Sequence, residues 1–87
     1  MPIESSGASL GLSIEEIVVK PGCKIDGVEL KDSDIKAELN LMVVGIKRAD
    51  GEVVISPDAS FRIAGGDTLI VMGKNDNLSK LDVYAGQ

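Results

Sequence analysis

Histidine and tryptophan are absent from this sequence, cysteine occurs once, and the only aromatic rings are Phe61 and Tyr84. Without histidine there is no imidazole base for a Ser-His or Cys-His nucleophile, and no Gly-x-Ser-x-Gly elbow occurs. Paired carboxylates could do acid–base work, but most Asp and Glu fall in turns or on polar faces. No enzyme activity is expected. A single cysteine closes no intrachain disulfide, and without histidine or a cysteine pair no zinc site is expected. Cys23 has Lys20 and Lys24 nearby but no base, so it is read as structural, in a reducing compartment. Acidic groups outnumber basic ones, 14 to 9, and no stripe of lysine and arginine forms. With so few aromatics and no basic surface, nucleic acid is not an expected partner. No apolar run approaches the roughly 20 residues of a membrane span. Residues 1–10 carry neither a basic region nor an apolar stretch, so no signal peptide is read there. The expected protein is soluble and cytoplasmic, without direct membrane insertion.

What is present suits one small domain. A chain of 87 residues buries only about 60–65% of its unfolded surface, and domains this small usually gain stability from a disulfide, a metal or a partner. With the first two unsupported, self-association or membership of a longer protein is left.

Residues 1–11 are rich in Ser, Gly and Ala without any period and are read as a disordered tail; residues 12–87 form the domain. Residues 12–20 hold Ile14, Ile17, Val18 and Val19, β-branched residues that favour a strand. Helical spacing is also present, but Pro21-Gly22 stops the segment too early for a helix. Glu15-Glu16 breaks the alternation and suggests a bulge. Asp26 is placed to cap a short helix over 27–32. Residues 41–48 read as a strand, and Asp50-Gly51 as a tight type I′ turn with a return strand over 52–55, ended by Ser56-Pro57-Asp58. Phe61 and Ile63 alternate around Arg62. Gly65-Gly66-Asp67 forms a turn before a last strand over 68–72, which Gly73 ends. Asn75 or Asp76 caps a final helix with Leu78, Leu81 and Tyr84 on one face. The order β-α-β-β-β-α indicates an α+β fold of two layers, with about four strands and two short helices.

Val43-Val44 and Ile70-Val71 put apolar groups on both faces of their strands. Two short helices cover only one face of a sheet, so the other exposes more apolar surface than monomers carry. A homodimer, or docking onto another domain, is expected.

In this order, the segments resemble the TrkA C-terminal domain family, also called the RCK C-terminal domain. Pro21-Gly22-Cys23-Lys24-Ile25-Asp26-Gly27-Val28-Glu29-Leu30 is similar to the family's Ile-x-Gly-x-x-Leu segment. Val43-Val44-Gly45-Ile46-Lys47-Arg48-Ala49-Asp50-Gly51 resembles its strand ending in a basic residue before a glycine turn. Val54-Ile55-Ser56-Pro57 resembles the return strand that runs into proline, and Ile63-Ala64-Gly65-Gly66-Asp67-Thr68-Leu69-Ile70-Val71-Met72-Gly73 its Gly-Asp followed by an apolar strand and a glycine. Asn77-Leu78 and Leu81 fit the closing helix. The resemblance covers about residues 12–84. It implies a mixed, mostly antiparallel sheet with helices on one side, and a dimer. It also implies a regulatory ligand-sensing domain of a bacterial potassium transport or channel system, attached to a membrane transporter or channel subunit or to a Rossmann-type domain. Some members bind cyclic di-AMP at the dimer interface. Here no Gly-x-Gly-x-x-Gly loop precedes the domain, so dinucleotide binding of the Rossmann type is not expected; the chain is read as a piece of a longer protein, with a stand-alone module as the alternative.

Arg48 is the strongest ligand candidate, because a guanidinium at the end of a buried strand grips phosphate bidentately or stacks on a base. Ile46, Val54, Ile55 and Pro57 would supply apolar floor for a purine. By position in the hairpin, the resemblance carries ligand binding onto Arg48, Ile55 and Pro57. Val53-Val54 stands where an asparagine would supply a polar partner, a departure from the members that bind cyclic di-AMP. The plain reading of Arg48 is a solvated residue at a hairpin end. Asp67 is read as a turn former whose carboxylate accepts backbone N–H bonds. A ligand-free dimerisation or assembly module is the alternative to a sensor.

Overall fold

A computed structural model describes residues 11–86; the expected disordered tail, save Gly11, lies outside them. Four strands form one sheet: β1 (Leu12–Val18), β2 (Met42–Lys47), β3 (Val53–Ile55) and β4 (Thr68–Lys74). They lie in the order β1-β4-β2-β3, and every pairing is antiparallel rather than mixed. One helix, α1 (Asn75–Gly86), leaves the end of β4 and turns back across the sheet. Leu78, Leu81 and Ala85 are its buried residues, and Tyr84 is partly buried against the same core. The second layer is completed by the long irregular segment between β1 and β2. It contributes Cys23, Ile25, Ile35, Leu39 and Leu41 to the core. Cys23 is thus a buried free thiol within the apolar layer.

The expected helix over 27–32 shrinks to a single 3-10 turn, Leu30–Asp32. Gly27 adopts φ +81°, which an α-helix does not contain, and Glu29 is extended, bridging Arg62. Asp26 caps no helix. Its carboxylate accepts from the Gly22 N–H at 2.7 Å and the Gly65 N–H at 2.9 Å, tying two turns together.

The β2-β3 connection also differs from the expected I′ turn. The Gly51 N–H donates to the Arg48 carbonyl at 2.9 Å and the Arg48 N–H to the Glu52 carbonyl at 2.7 Å. Only Gly51, at φ +95°, takes positive φ in this turn. This is the three-residue hairpin loop in which a glycine forms a bulge after the turn. At the far end of the sheet β4 runs on through Gly73, which does not stop it. A Cβ at Gly73 would collide with the Leu41 side chain, so glycine there makes room for the core.

The expected irregularity in β1 is absent: β1 stays in register with β4 from Leu12↔Lys74 to Val18↔Thr68. The bulge lies in β2 instead, where Val43 faces Val71 but Gly45 faces Ile70, leaving Val44 as the extra residue. Because strand side chains alternate, one inserted residue reverses every position after it. Ile46 therefore points into the core beside Leu69, where simple alternation from Met42 would have sent it outward.

Candidate functional site

The bulge divides the predicted ligand residues between the two faces. Ile46 is fully buried and Ile55 is 72% exposed. Val54 pairs with Ile46 on the inner side, half-buried, while Ile55 pairs with Gly45 on the outer side. These residues do not converge on one floor, and Ile46 offers no surface to a ligand in this arrangement. Burial of the hairpin's inner row, through the bulge, is the physical reason.

Arg48 begins immediately after β2 and reaches across to the turn that precedes β4. Its guanidinium lies 3.4 Å from Asp67 Oδ2 and donates a second bond to the Arg62 carbonyl at 3.3 Å. It stacks over the Phe61 ring, 4.2 Å from the centroid. Asp67 is almost wholly buried, and its Oδ2 also accepts from the Ala64 N–H at 3.0 Å. The turn-former reading of Asp67 therefore holds, and the carboxylate has a cationic partner as well. Arg48 remains partly exposed. With five N–H donors on a guanidinium, an outward edge of the group remains open to an anion.

Pro57 lies elsewhere. It joins a cavity of about 290 Å³ between the irregular segment, the start of β2 and the chain after β3. Leu30, Ile35, Leu41 and Val43 give it apolar walls, and Lys31 and Lys36 are its two charged lining residues. No carboxylate lines it. The Lys31 ammonium, itself exposed, contacts at 3.6 Å the partly buried Glu29 carboxylate, which also pairs with Arg62. A cleft of this composition suits a ligand with a flat apolar body and an anionic group. Sequence reasoning missed these lysines. They flank Ile35, but in a segment without a helix or strand period nothing in the spacing turns them toward a common space. Among the described residues, no cluster of three or more Cys, Asp or Glu is placed to hold a metal ion. None of their helices is long and apolar enough to cross a membrane.

The outer face of the sheet is the other open feature. Its rows run Leu12–Lys74, then Ile14–Met72–Met42, then Glu16–Ile70–Gly45–Ile55, then Val18–Thr68–Lys47–Val53. Among the described residues, five of the six exposed large hydrophobics lie there: Ile14, Val18, Met42, Val53 and Ile55. The apolar second face expected from the two-faced strands is present and uncovered in the isolated chain.

The family model of the TrkA-C domain matches residues 14–86. The chain belongs to the TrkA-C domain family. The family is one of regulatory ligand-binding domains of transport proteins. The chain is 31% identical over 78 residues to the K(+)/H(+) antiporter subunit KhtT of Bacillus subtilis, covering 87% of this chain and 47% of that protein. It thus spans about half the length of that relative. Among solved structures it resembles the RCK C domain of the potassium transport protein KtrA in complex with cyclic di-AMP, at 29% identity and TM-score 0.71, over 92% of this chain and 91% of that one. It also shares its fold with the RCK_C domain dimer of S. agalactiae BusR in complex with cyclic di-AMP, at 21% identity and TM-score 0.77, over 87% of this chain and 93% of that one. The expected family and α+β fold are thereby confirmed.

Proposed function

We propose that this TrkA-C domain is the ligand-sensing and dimerising unit of a bacterial potassium or other cation transport system. It acts in the cytoplasm, attached to a transporter or channel subunit or to a Rossmann-type domain. Ligand binding at the dimer interface is passed on to those attached parts. The observation that carries the reading is the lysine-lined apolar cleft at Pro57, beside a hairpin that also presents Arg48 and Ile55. The ligand class is an anionic nucleotide such as cyclic di-AMP, which the similar KtrA and BusR domains hold in their complexes. A purine would use the apolar walls of the cleft, and phosphate its lysines. Binding alone does not signal; the ligand must favour one arrangement of the two copies over another.

Isothermal titration of the chain with cyclic di-AMP and adenine nucleotides tests this, with the mass fixed by light scattering. One ligand per dimer is expected, with affinity lowered at least tenfold in K31A/K36A. Heat signals no larger than dilution for every nucleotide would refute it.

A specific observation favours a second reading, the ligand-free assembly module. Arg48 is already engaged by Asp67, the Arg62 carbonyl and Phe61, and Val54 leaves the hairpin without a polar contact at that position. A stable dimer that binds no nucleotide would select this alternative.

A further inference from the structure

The two lysines of the cleft are not equivalent. Lys36 has no ion-pair partner among the described residues, whereas Lys31 Nζ lies 3.6 Å from Glu29 Oε1. The other oxygen of that carboxylate, Oε2, accepts from Arg62 Nη2 at 3.2 Å, and Arg62 Nη1 donates to the Gly27 carbonyl at 2.6 Å. Backbone bonds hold the same arrangement in place. Glu29 bridges Arg62, and the Leu30 and Lys31 N–H groups donate to the Phe61 and Ala59 carbonyls, each at 2.9 Å. Glu29 is therefore fixed by Arg62, which does not line the cleft, while its Oε1 faces one of the two lysines that do. The carboxylate side chain is only 25% exposed, the Lys31 side chain 59%. A charge-assisted hydrogen bond is shorter than this contact, about 2.7–2.9 Å. Glu29 thus neutralises Lys31 without fixing where its ammonium points.

We propose, resting on the ligand reading above, that Glu29 is an internal competitor of the anionic ligand and sets the concentration at which the cleft fills. In the empty cleft Lys31 is shared with Glu29. A phosphate entering between Lys31 and Lys36 takes the Lys31 ammonium away from that carboxylate. Glu29 keeps the Arg62 guanidinium, so the exchange leaves no carboxylate unpaired. The lysine stem is long and exposed, so it can turn from one oxygen to the other without disturbing the backbone bond at its own N–H. Every anion that uses Lys31 must displace the same contact, and Glu29 lowers the affinity for each of them. Removing the carboxylate therefore strengthens nucleotide binding, although Glu29 itself touches no ligand.

The test is isothermal titration of the 87-residue chain with cyclic di-AMP at fixed ionic strength, with circular dichroism to confirm folding. E29Q keeps an oxygen for the Arg62 guanidinium and removes the charge. It is expected to bind the nucleotide about threefold tighter than the parent, within the range that breaking an exposed ion pair spans. In a K31A background the same change should have no effect, because the competition runs through Lys31. Arg62→Gln is a second, independent variant. It leaves Glu29 with Lys31 alone and should weaken the nucleotide, although Arg62 stands outside the cleft. A parent that binds while E29Q binds no tighter would overturn the competitor role and leave the ligand reading standing; weaker binding by E29Q would make Glu29 a residue that positions Lys31. An equal gain from E29Q with and without Lys31, or an R62Q variant that binds like the parent, would also overturn it. A parent that binds no cyclic di-AMP would overturn the ligand reading and this role together.

Discussion

The Arg48 guanidinium and the Asp67 carboxylate meet at 3.4 Å across 19 residues of sequence, with Asp67 2% exposed and Arg48 30% exposed. The pair ties the β2-β3 hairpin to the turn that launches β4. Arg48→Ala would leave a buried carboxylate with the Ala64 N–H alone and would also strip the guanidinium from Phe61. The expected loss is about 1–3 kcal/mol, since a buried group deprived of its partner keeps its desolvation cost. Arg48→Lys should recover part of this, keeping the charge but not the flat stacking group or the second bond to the Arg62 carbonyl. Urea unfolding of the three proteins measures both. An alanine variant as stable as the parent would show that the pair contributes nothing to folding.

Gly73 and Leu41 give a second prediction. Gly73→Ala places a methyl group where the Leu41 side chain packs. Leu41 is buried and cannot swing into solvent without opening the core. Overpacking of this kind costs about 1–3 kcal/mol. The double variant G73A/L41A should recover part of the loss relative to the sum of its single changes, because removing Leu41 frees the space. Strict additivity in a thermal or urea unfolding cycle would count against the collision.

These two contacts mark how far the sequence could be read. The strands β1, β2 and β4 were legible from their β-branched runs, and α1 from Leu78 and Leu81. Gly73 was misread as a strand end because a glycine needed for close approach looks the same in sequence as one that breaks a strand. The segment between β1 and β2 was least legible. It buries Ile25, Ile35 and Leu39 without helix or strand spacing, held by turns such as those at Asp26. The lysine-lined cleft sits against that segment and was invisible for the same reason. Arg48 stood out as a ligand candidate from its place on the hairpin, but its bond to Asp67 joins two motifs that no local pattern connects.

Asp26 carries a pH prediction. Its carboxylate is held below the ordinary value of 3.8 chiefly by the Gly22 N–H and then by the Gly65 N–H, which both favour the charged form. A carboxyl whose pKa is depressed by folding contributes stability above its unfolded pKa and loses it as pH falls through the folded value. Stability from this group is therefore complete at neutral pH and declines below about pH 4. Asp26→Asn offers one oxygen where the carboxylate offers two. It should melt at a lower temperature than the parent at pH 7, with the gap narrowing as the pH drops below about 4. A gap that stays constant from pH 7 to acid would assign the effect to shape and not to charge.

The bulge at Val44 is tested by comparing two isoleucines of the same hairpin. Ile46 is wholly buried and Ile55 72% exposed, although without the bulge alternation would turn Ile46 outward. Ile46→Ala should destabilise the fold by about 2–5 kcal/mol, through lost burial and the cavity left between Leu69 and the second layer. Ile55→Ala should change folding stability within about 0.5 kcal/mol when measured at concentrations too low for association. At higher concentration the same Ile55 variant should lose stability relative to the parent, because a ligand or partner that binds only the folded state stabilises it by mass action. Equal costs for the two substitutions in dilute solution would place both side chains on one face and remove the bulge from β2.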